Sequence, residues 1–361
     1  MGQIKRILFM ALFISMMLAA GCSPFLENNI IEEIAPITFW YTKEGEDGEL
    51  NMTTLMPPLL KENKRPITLK ADLVRKGAQD FNYKYFRELK AGQIRLLFID
   101  ENYAKKGIMP LINMLMIEPD ISSRLYIAIV KGDFEDYIKH QVHEQENLDY
   151  FLYLMFKHYE KKRQGEMTII NIHQFMKNLY SPYSDPILPV FKADKENFTY
   201  AGTALFSDDK LIATVRNIDE HIFQLINNDH YLKILPIKTL SVVLGEVRSS
   251  VHMHWKRKFS SLTIKVELSS GIKEYQGDKN IYDEDEFADL NNEIESYLEK
   301  QTTEFMKNLQ KWRVDPFQIG KRSLTPFAKP LSEKQWLNHW EQLEINVDYK
   351  LSIQPLLEKE K

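Results

Sequence analysis

Cysteine is almost absent from this chain of 361 residues, and Cys22 is its only one. No disulfide can staple the fold, so packing has to hold it together. Once that thiol is committed elsewhere, thiol catalysis is excluded as well. Long apolar runs are missing beyond the N-terminus. The apolar run Phe151-Leu152-Tyr153-Leu154-Met155-Phe156, six residues, reads as a buried stretch of helix and is far short of the about 20 that a membrane span needs. A surplus of positive charge is missing too: 47 Lys and Arg against 51 Asp and Glu leave a formal charge of −4, which argues against nucleic acid as a partner. Neither a G-x-x-x-x-G-K-[ST] loop nor a G-x-G-x-x-G turn occurs, and no G-x-S-x-G elbow offers a nucleophile. The whole chain is 44% hydrophobic and 27% charged, the composition of a globular protein.

The N-terminus reads as a leader. Lys5 and Arg6 give a positive start, Ile7 through Met17 are apolar apart from Ser15, and Ala19, Ala20 and Gly21 lead into Cys22. This arrangement resembles a bacterial lipobox, with Ala19 where Leu is usual and Leu18 one residue further back. The pattern implies cleavage between Gly21 and Cys22, an S-diacylglyceryl thioether on Cys22 and acylation of the new amine. Two or more acyl chains hold a protein stably on a bilayer, so Cys22 is the expected tether. Cleavage leaves 340 residues, enough for two or three domains, and moves the formal charge to about −6.

Strands are expected near Ile37–Tyr41 and Leu50–Met56, joined through Gly45-Glu46-Asp47-Gly48. Helical spacing over Asp72–Leu89 and Glu101–Ile117, the latter broken by Gly107 and Pro110, alternates with apolar runs at Gln93–Ile99 and Leu125–Val130. That rhythm predicts a small parallel βαβ unit. Helices are expected over Asn147–Arg163, Asn171–Tyr180 and Ile218–Ile226. The proline-rich stretch from Ser181 to Pro189 reads as a lead into strands at Phe198–Phe206 and Leu211–Val215. Further on, Leu240–Val247, Val251–Phe259 and Leu262–Leu268 read as three strands of a meander. A long helix runs from the acidic Asp283–Asp289 to about Trp312, and Ile345–Ile353 alternates as a last strand. The fold class is therefore mixed α+β and multidomain. An N-terminal mixed-sheet region holds the parallel unit, and a C-terminal antiparallel sheet packs on a long helix.

Three clusters could carry chemistry, and each has a plainer explanation. His140-Gln141-Val142-His143-Glu144 matches neither the H-E-x-x-H nor the H-x-x-E-H order of zinc sites, so solvent-facing histidines are expected. His252 and His254 share one face of a strand, but no third ligand lies near them in sequence. Asp283-Glu284-Asp285-Glu286 lacks the glycine and final glutamate of a calcium loop and suits a helix N-terminus. No catalytic residue, metal site or cofactor site is assigned.

The order of the segments carries a family resemblance. A lipobox cysteine precedes Gly92-Gln93 and Ala104-Lys105-Lys106-Gly107-Ile108. Asp185-Pro186-Ile187-Leu188-Pro189, Gly202-Thr203-Ala204-Leu205-Phe206 and Asp209-Lys210-Leu211 follow. A long amphipathic helix then ends in Asp315-Pro316-Phe317-Gln318-Ile319-Gly320, and Trp336 and Trp340 precede the final strand. This pattern resembles the Ger(x)C family of spore germination lipoproteins, the C subunits of GerA-type germinant receptors. The family often has Trp after the lipid cysteine and Gly after Asp-Pro-Phe, where this chain has Ser23 and Gln318.

The resemblance implies a non-enzymatic receptor subunit, lipid-anchored at the outer face of the spore inner membrane or cell membrane, with integral A-type and B-type subunits as partners. It also implies three mixed α/β domains. We expect residues 1–21 as leader, 22–35 as tether, 36–66 plus 185–230 as a discontinuous N-terminal domain, 67–184 as an inserted unit and 231–361 as the C-terminal domain. The physical readings stand beside it: Asp315-Pro316 stops a helix, Gly320 permits a turn, and Trp336 and Trp340 anchor a core. The alternatives are a substrate-binding lipoprotein of a transporter, which would need two similar lobes around a cleft, and a lipid-anchored hydrolase, for which no nucleophile and base are visible.

Overall fold

The computed structural model describes residues 34–355, except 46–47, 59–63, 72–78, 80–81, 84–86, 163–166, 229–230, 257–258 and 325–330, and also residues 6 and 10. The leader, Gly21, Cys22 and most of the helix expected over Asp72–Leu89 lie outside the described residues.

A nine-stranded mixed sheet organises the N-terminal two thirds. Its order is β11 (Lys210–Val215), β10 (Phe198–Ser207), β9 (Ile187–Ala193), β7 (Tyr126–Gly132), β6 (Leu96–Asp100), β2 (Phe39–Glu44), β3 (Leu50–Met56) and β4 (Arg65–Ala71), with β8 (Ile170–Asn171) beside β7. The neighbours β2, β6, β7 and β9 are parallel, and the remaining pairings are antiparallel. The parallel strands are apolar on both sides because both faces are covered. With a period of two, Leu97, Ile99, Ile127 and Ile129 enter one core. Leu96, Phe98, Ala128 and Val130 enter an aromatic second one with Phe39, Phe134, Phe156 and Phe191. Two helices follow β6, α1 (Glu101–Lys106) and α2 (Met109–Ile117), parted at Gly107 as expected. After β7 come α3 (Phe134–Glu144), α4 (Leu148–Lys162) and α5 (Ile172–Leu179). Ahead of the sheet, the short β1 (Ile34–Pro36) pairs in parallel with β5 (Glu88–Lys90).

Among the described residues, 67–184 form no sheet of their own. Strands β6 and β7 sit at the centre of the large sheet, between β2 and β9, so the strands of residues 36–66 and those of residues 185–230 lie on opposite sides of them. Strands apolar on both faces and on both edges require neighbours on each side, and the two flanking antiparallel arms supply them. The proline-rich lead also proves to be a strand, β9. Pro189 fits because β7 pairs only from Val190 onward, which leaves Pro189 opposite Thr203 of β10.

Helix α6 (Asn217–Asn228) leads to a second sheet ordered β12 (Leu232–Ile237), β13 (Val242–Trp255), β14 (Ser261–Tyr275) and β15 (Glu344–Gln354). The first two strands of the expected meander are one. Chain and register bulge between Gly245 and Arg248, with Glu246 at φ 54°, and the strand continues through Ser249 and Ser250 without turning. Helix α7 (Glu284–Trp312) is capped by Asp283, whose carboxylate accepts from the N–H groups of Asp285 and Glu286. It buries Leu290, Ile294, Leu298, Thr302, Phe305 and Leu309. Because this helix carries the chain back across the sheet, β15 runs parallel to β14, and the sheet is antiparallel only through its first three strands. One contiguous core links the two sheets.

Candidate functional site

The residues that carried the family resemblance meet in pairs from distant parts of the chain. Asp185 and Asp315, from the two Asp-Pro motifs, are partners: the Asp315 N–H donates to Asp185 Oδ2 at 2.6 Å, and the Asp185 N–H donates to the Asp315 carbonyl at 3.2 Å. The Asp315 carboxylate turns the other way. Its Oδ1 accepts from the Ile319 N–H at 2.9 Å and its Oδ2 from the Gly320 N–H at 2.7 Å, which caps the short α8 (Ile319–Arg322). Burial pushes both carboxyls up to about 7, and for Asp185 the nearby charges of Asp315, Asp208 and Glu333 add to it. Helix α9 (Glu333–Gln342) closes the joint. Trp340 Nε1 donates to the Val314 carbonyl at 3.1 Å, and Trp336 stacks on Trp340 with ring centroids 5.9 Å apart. Gly320 lies flat against Trp336, where a Cβ would fall 2.5 Å from the indole.

A second pair joins Gly107 to Asp209. Gly107 has φ 122°, and a Cβ on it would stand 2.7 Å from Asp209 Oδ2. That same oxygen accepts the Met109 N–H at 2.8 Å and so caps α2, while the Asp209 carbonyl accepts from the Ile108 N–H at 3.0 Å. At a third point Gly202 bulges with φ 129° against the backbone of Val215. These positions act as joints between segments, and they do not converge on one cavity.

A cleft of about 630 Å³ lies between β10, α6 and β12, with Gly202 in its lining. At its wall Glu220 is buried, and its Oε1 accepts from Tyr200 Oη at 2.5 Å, Gln224 Nε2 at 2.7 Å and Thr203 Oγ1 at 3.0 Å. Burial raises the Glu220 carboxyl above the usual range, against the pull of those three donors. Burial and the Glu220 charge raise the Tyr200 hydroxyl in turn. His221 donates from Nδ1 to the Asn217 carbonyl at 2.8 Å, and burial lowers its pKa. All three neighbours donate to this one carboxyl oxygen, and the cluster ties β10 to α6. The sequence reading missed Glu220. Its signal was an acid three residues before Phe223, on the apolar face of a helix.

The three clusters weighed from sequence stay apart. His140 pairs with Glu144 at 3.7 Å along its own helix, and His143 is exposed. His252 and His254 share the solvent face of β13 with ring centroids 6.3 Å apart, and the acidic run caps α7. Among the described residues no three His, Cys, Asp or Glu side chains gather closely enough to hold a metal ion. No described helix is long and apolar enough to cross a membrane.

Comparison with known proteins gives consistent matches. The family described as "Spore germination protein N-terminal domain" matches residues 27–193, and the family described as "Spore germination B3/GerAC like, C-terminal" matches residues 201–355. The spore germination protein GerQC of Bacillus cereus is 21% identical over 266 residues, covering 72% of this chain and 73% of its own length. YfkR of Bacillus subtilis (strain 168) is 24% identical over 279 residues, 72% of this chain and 71% of its own length. Among solved structures, the GerBC protein matches in fold with a TM-score of 0.53 at 13% identity, over 88% of this chain and 97% of the other.

Proposed function

Because this chain belongs to the Ger(x)C family of spore germination proteins, we propose that it is the non-enzymatic lipoprotein subunit of a germinant receptor. In this reading it assembles with integral A-type and B-type membrane subunits and needs no cofactor. It is held at the outer face of the spore inner membrane by acyl chains on Cys22. The observation that carries the proposal is the run of two family domains, 27–193 and 201–355, directly behind the lipobox-like Cys22. The joints described above suit a scaffold that presents surfaces to neighbours.

The test has two parts. In a strain without paralogous receptors, deleting the gene should abolish or slow germination with one class of nutrient and leave sporulation intact. Co-purification from spore membranes should bring the integral subunits with it. Normal germination with every nutrient would refute the receptor role. Cys22→Ala should move the protein from the membrane to the soluble fraction, and unchanged membrane association would refute the anchor.

A further inference from the structure

The described body begins at Ile34, whose carbonyl accepts from Arg87 Nε at 2.9 Å, and that start adjoins an unusual stretch of surface. Thr38 Oγ1 donates to Asp149 Oδ2 at 2.6 Å in the first turn of α4. The Arg95 N–H donates to the Thr38 carbonyl at 2.7 Å. The head of α4 and the N-terminal ends of β2, β6 and β7 therefore lie together at the point where the chain from Cys22 arrives. On the outer side of α4, Tyr150, Phe151 and Leu154 are 56%, 49% and 41% exposed. Beside them a cleft of about 860 Å³ is lined by Ser122, Ser123, Arg124 and Glu160, and by Arg95, whose guanidinium donates to the Gly92 and Ile94 carbonyls and to Gln93 Oε1.

We propose that this face, with Phe151 and Leu154 in the interfacial layer and the exposed Arg124 at the phosphates, lies directly on an anionic lipid surface. Amphipathic aromatic side chains favour the headgroup level, and arginine pairs with phosphate in bidentate fashion. The length of chain outside the structure selects the occupant. Eleven residues lie between Cys22 and Ile34, and the twelve steps from one to the other span at most about 43 Å fully extended. A body of this size is about 50 Å across. A lipid on Cys22 thus confines the Ile34 end to within about 43 Å of the bilayer, less than the width of the body, so the opposite end cannot be the one that rests on it. The proposal rests on the anchored-subunit reading and adds to it an orientation and a contact surface.

The experiment uses the processed full chain on vesicles. With Cys22 acylated no other thiol is present, so Leu154→Cys places one environment-sensitive fluorophore on the face. Asp136→Cys, exposed at the far end of β7, places one away from it. On phosphatidylglycerol–phosphatidylethanolamine vesicles containing brominated lipid, the probe at 154 should shift to the blue and be quenched severalfold more than the probe at 136. Phe151→Ser or Arg124→Glu, both at exposed positions, should reduce that quenching, as should replacing the lipid by phosphatidylcholine. Equal, water-like signals at both positions overturn the proposal. So does a probe at 154 that is shielded only in native spore membranes, because the occupant is then a protein. Mass spectrometry of the N-terminal peptide separates the two readings. An acylated chain with a water-exposed probe at 154 overturns the lipid face alone, and a chain without acyl groups overturns the anchor and the face together.

Discussion

Replacing Asp185 by Asn should stabilise the protein at alkaline pH and leave it unchanged in acid. Asp185 accepts the Asp315 N–H at 2.6 Å, and an amide oxygen of the same shape can keep that bond while carrying no charge. Burial raises the carboxyl from 3.8 to about 7. A group whose folded pKa is raised binds its proton more tightly in the native state. Its contribution is complete below pH 4 and is lost as pH rises through 7. A displacement of roughly 3 units at about 1.4 kcal/mol each sets a ceiling of about 4 kcal/mol. Local relaxation and coupling to Asp315 bring the expected figure to about 2 kcal/mol. Thermal melts followed by circular dichroism should therefore coincide at pH 4, diverge between pH 4 and 7, and stay about 3 °C apart at pH 8. An offset independent of pH, or a variant less stable than the parent at pH 8, would refute the reasoning, since Asp185 would then be ionised at its ordinary pKa and stabilising as a charge.

Gly202→Ala should lower stability by about 3 kcal/mol or more, read as the urea midpoint. Its backbone has φ 129°, and the obstacle to a Cβ is the Val215 carbonyl, which cannot move as a side chain could. Glu220→Ala should cost about 3 kcal/mol, because Tyr200, Thr203 and Gln224 lose one shared acceptor. Glu220→Gln, which keeps that oxygen, should be nearly neutral near pH 5 and stabilising as pH rises, in line with the raised carboxyl. Equal losses for the two variants would show that packing and not the acceptor matters. Gln318→Gly should raise stability by about 0.5–1 kcal/mol, because Gln318 sits left-handed at φ 56°. An unchanged urea midpoint would refute that strain.

How much of this was legible in the sequence depends on how local each signal is. Helix α7 could be read nearly to the residue, because its acidic cap, apolar repeat and proline stop all lie within one segment. The shared face of His252 and His254 followed from a period of two in the same way. Strand β9 was hidden because Pro189 disqualifies a central strand unless one knows that its β7 neighbour begins pairing only at Val190. The direction of β15 was hidden because alternation marks a strand without telling which way its partner runs. The same limit governs the Asp-Pro motifs. Read locally, Asp315-Pro316 stops a helix, and in space Asp315 also caps α8 and pins Asp185 from 130 residues away. Gln318 shows what both levels give together. The family resemblance marked the position as one where glycine is common, and the backbone supplies the cause, a left-handed turn ahead of α8 that glycine adopts at less cost. The motif residues thus earn their recurrence as joints that hold distant segments in register. If Cys22 carries the proposed anchor, the functional chemistry of such a body belongs to that anchor and to the faces that the joints orient, among them the head of α4 near the start of the described residues at Ile34.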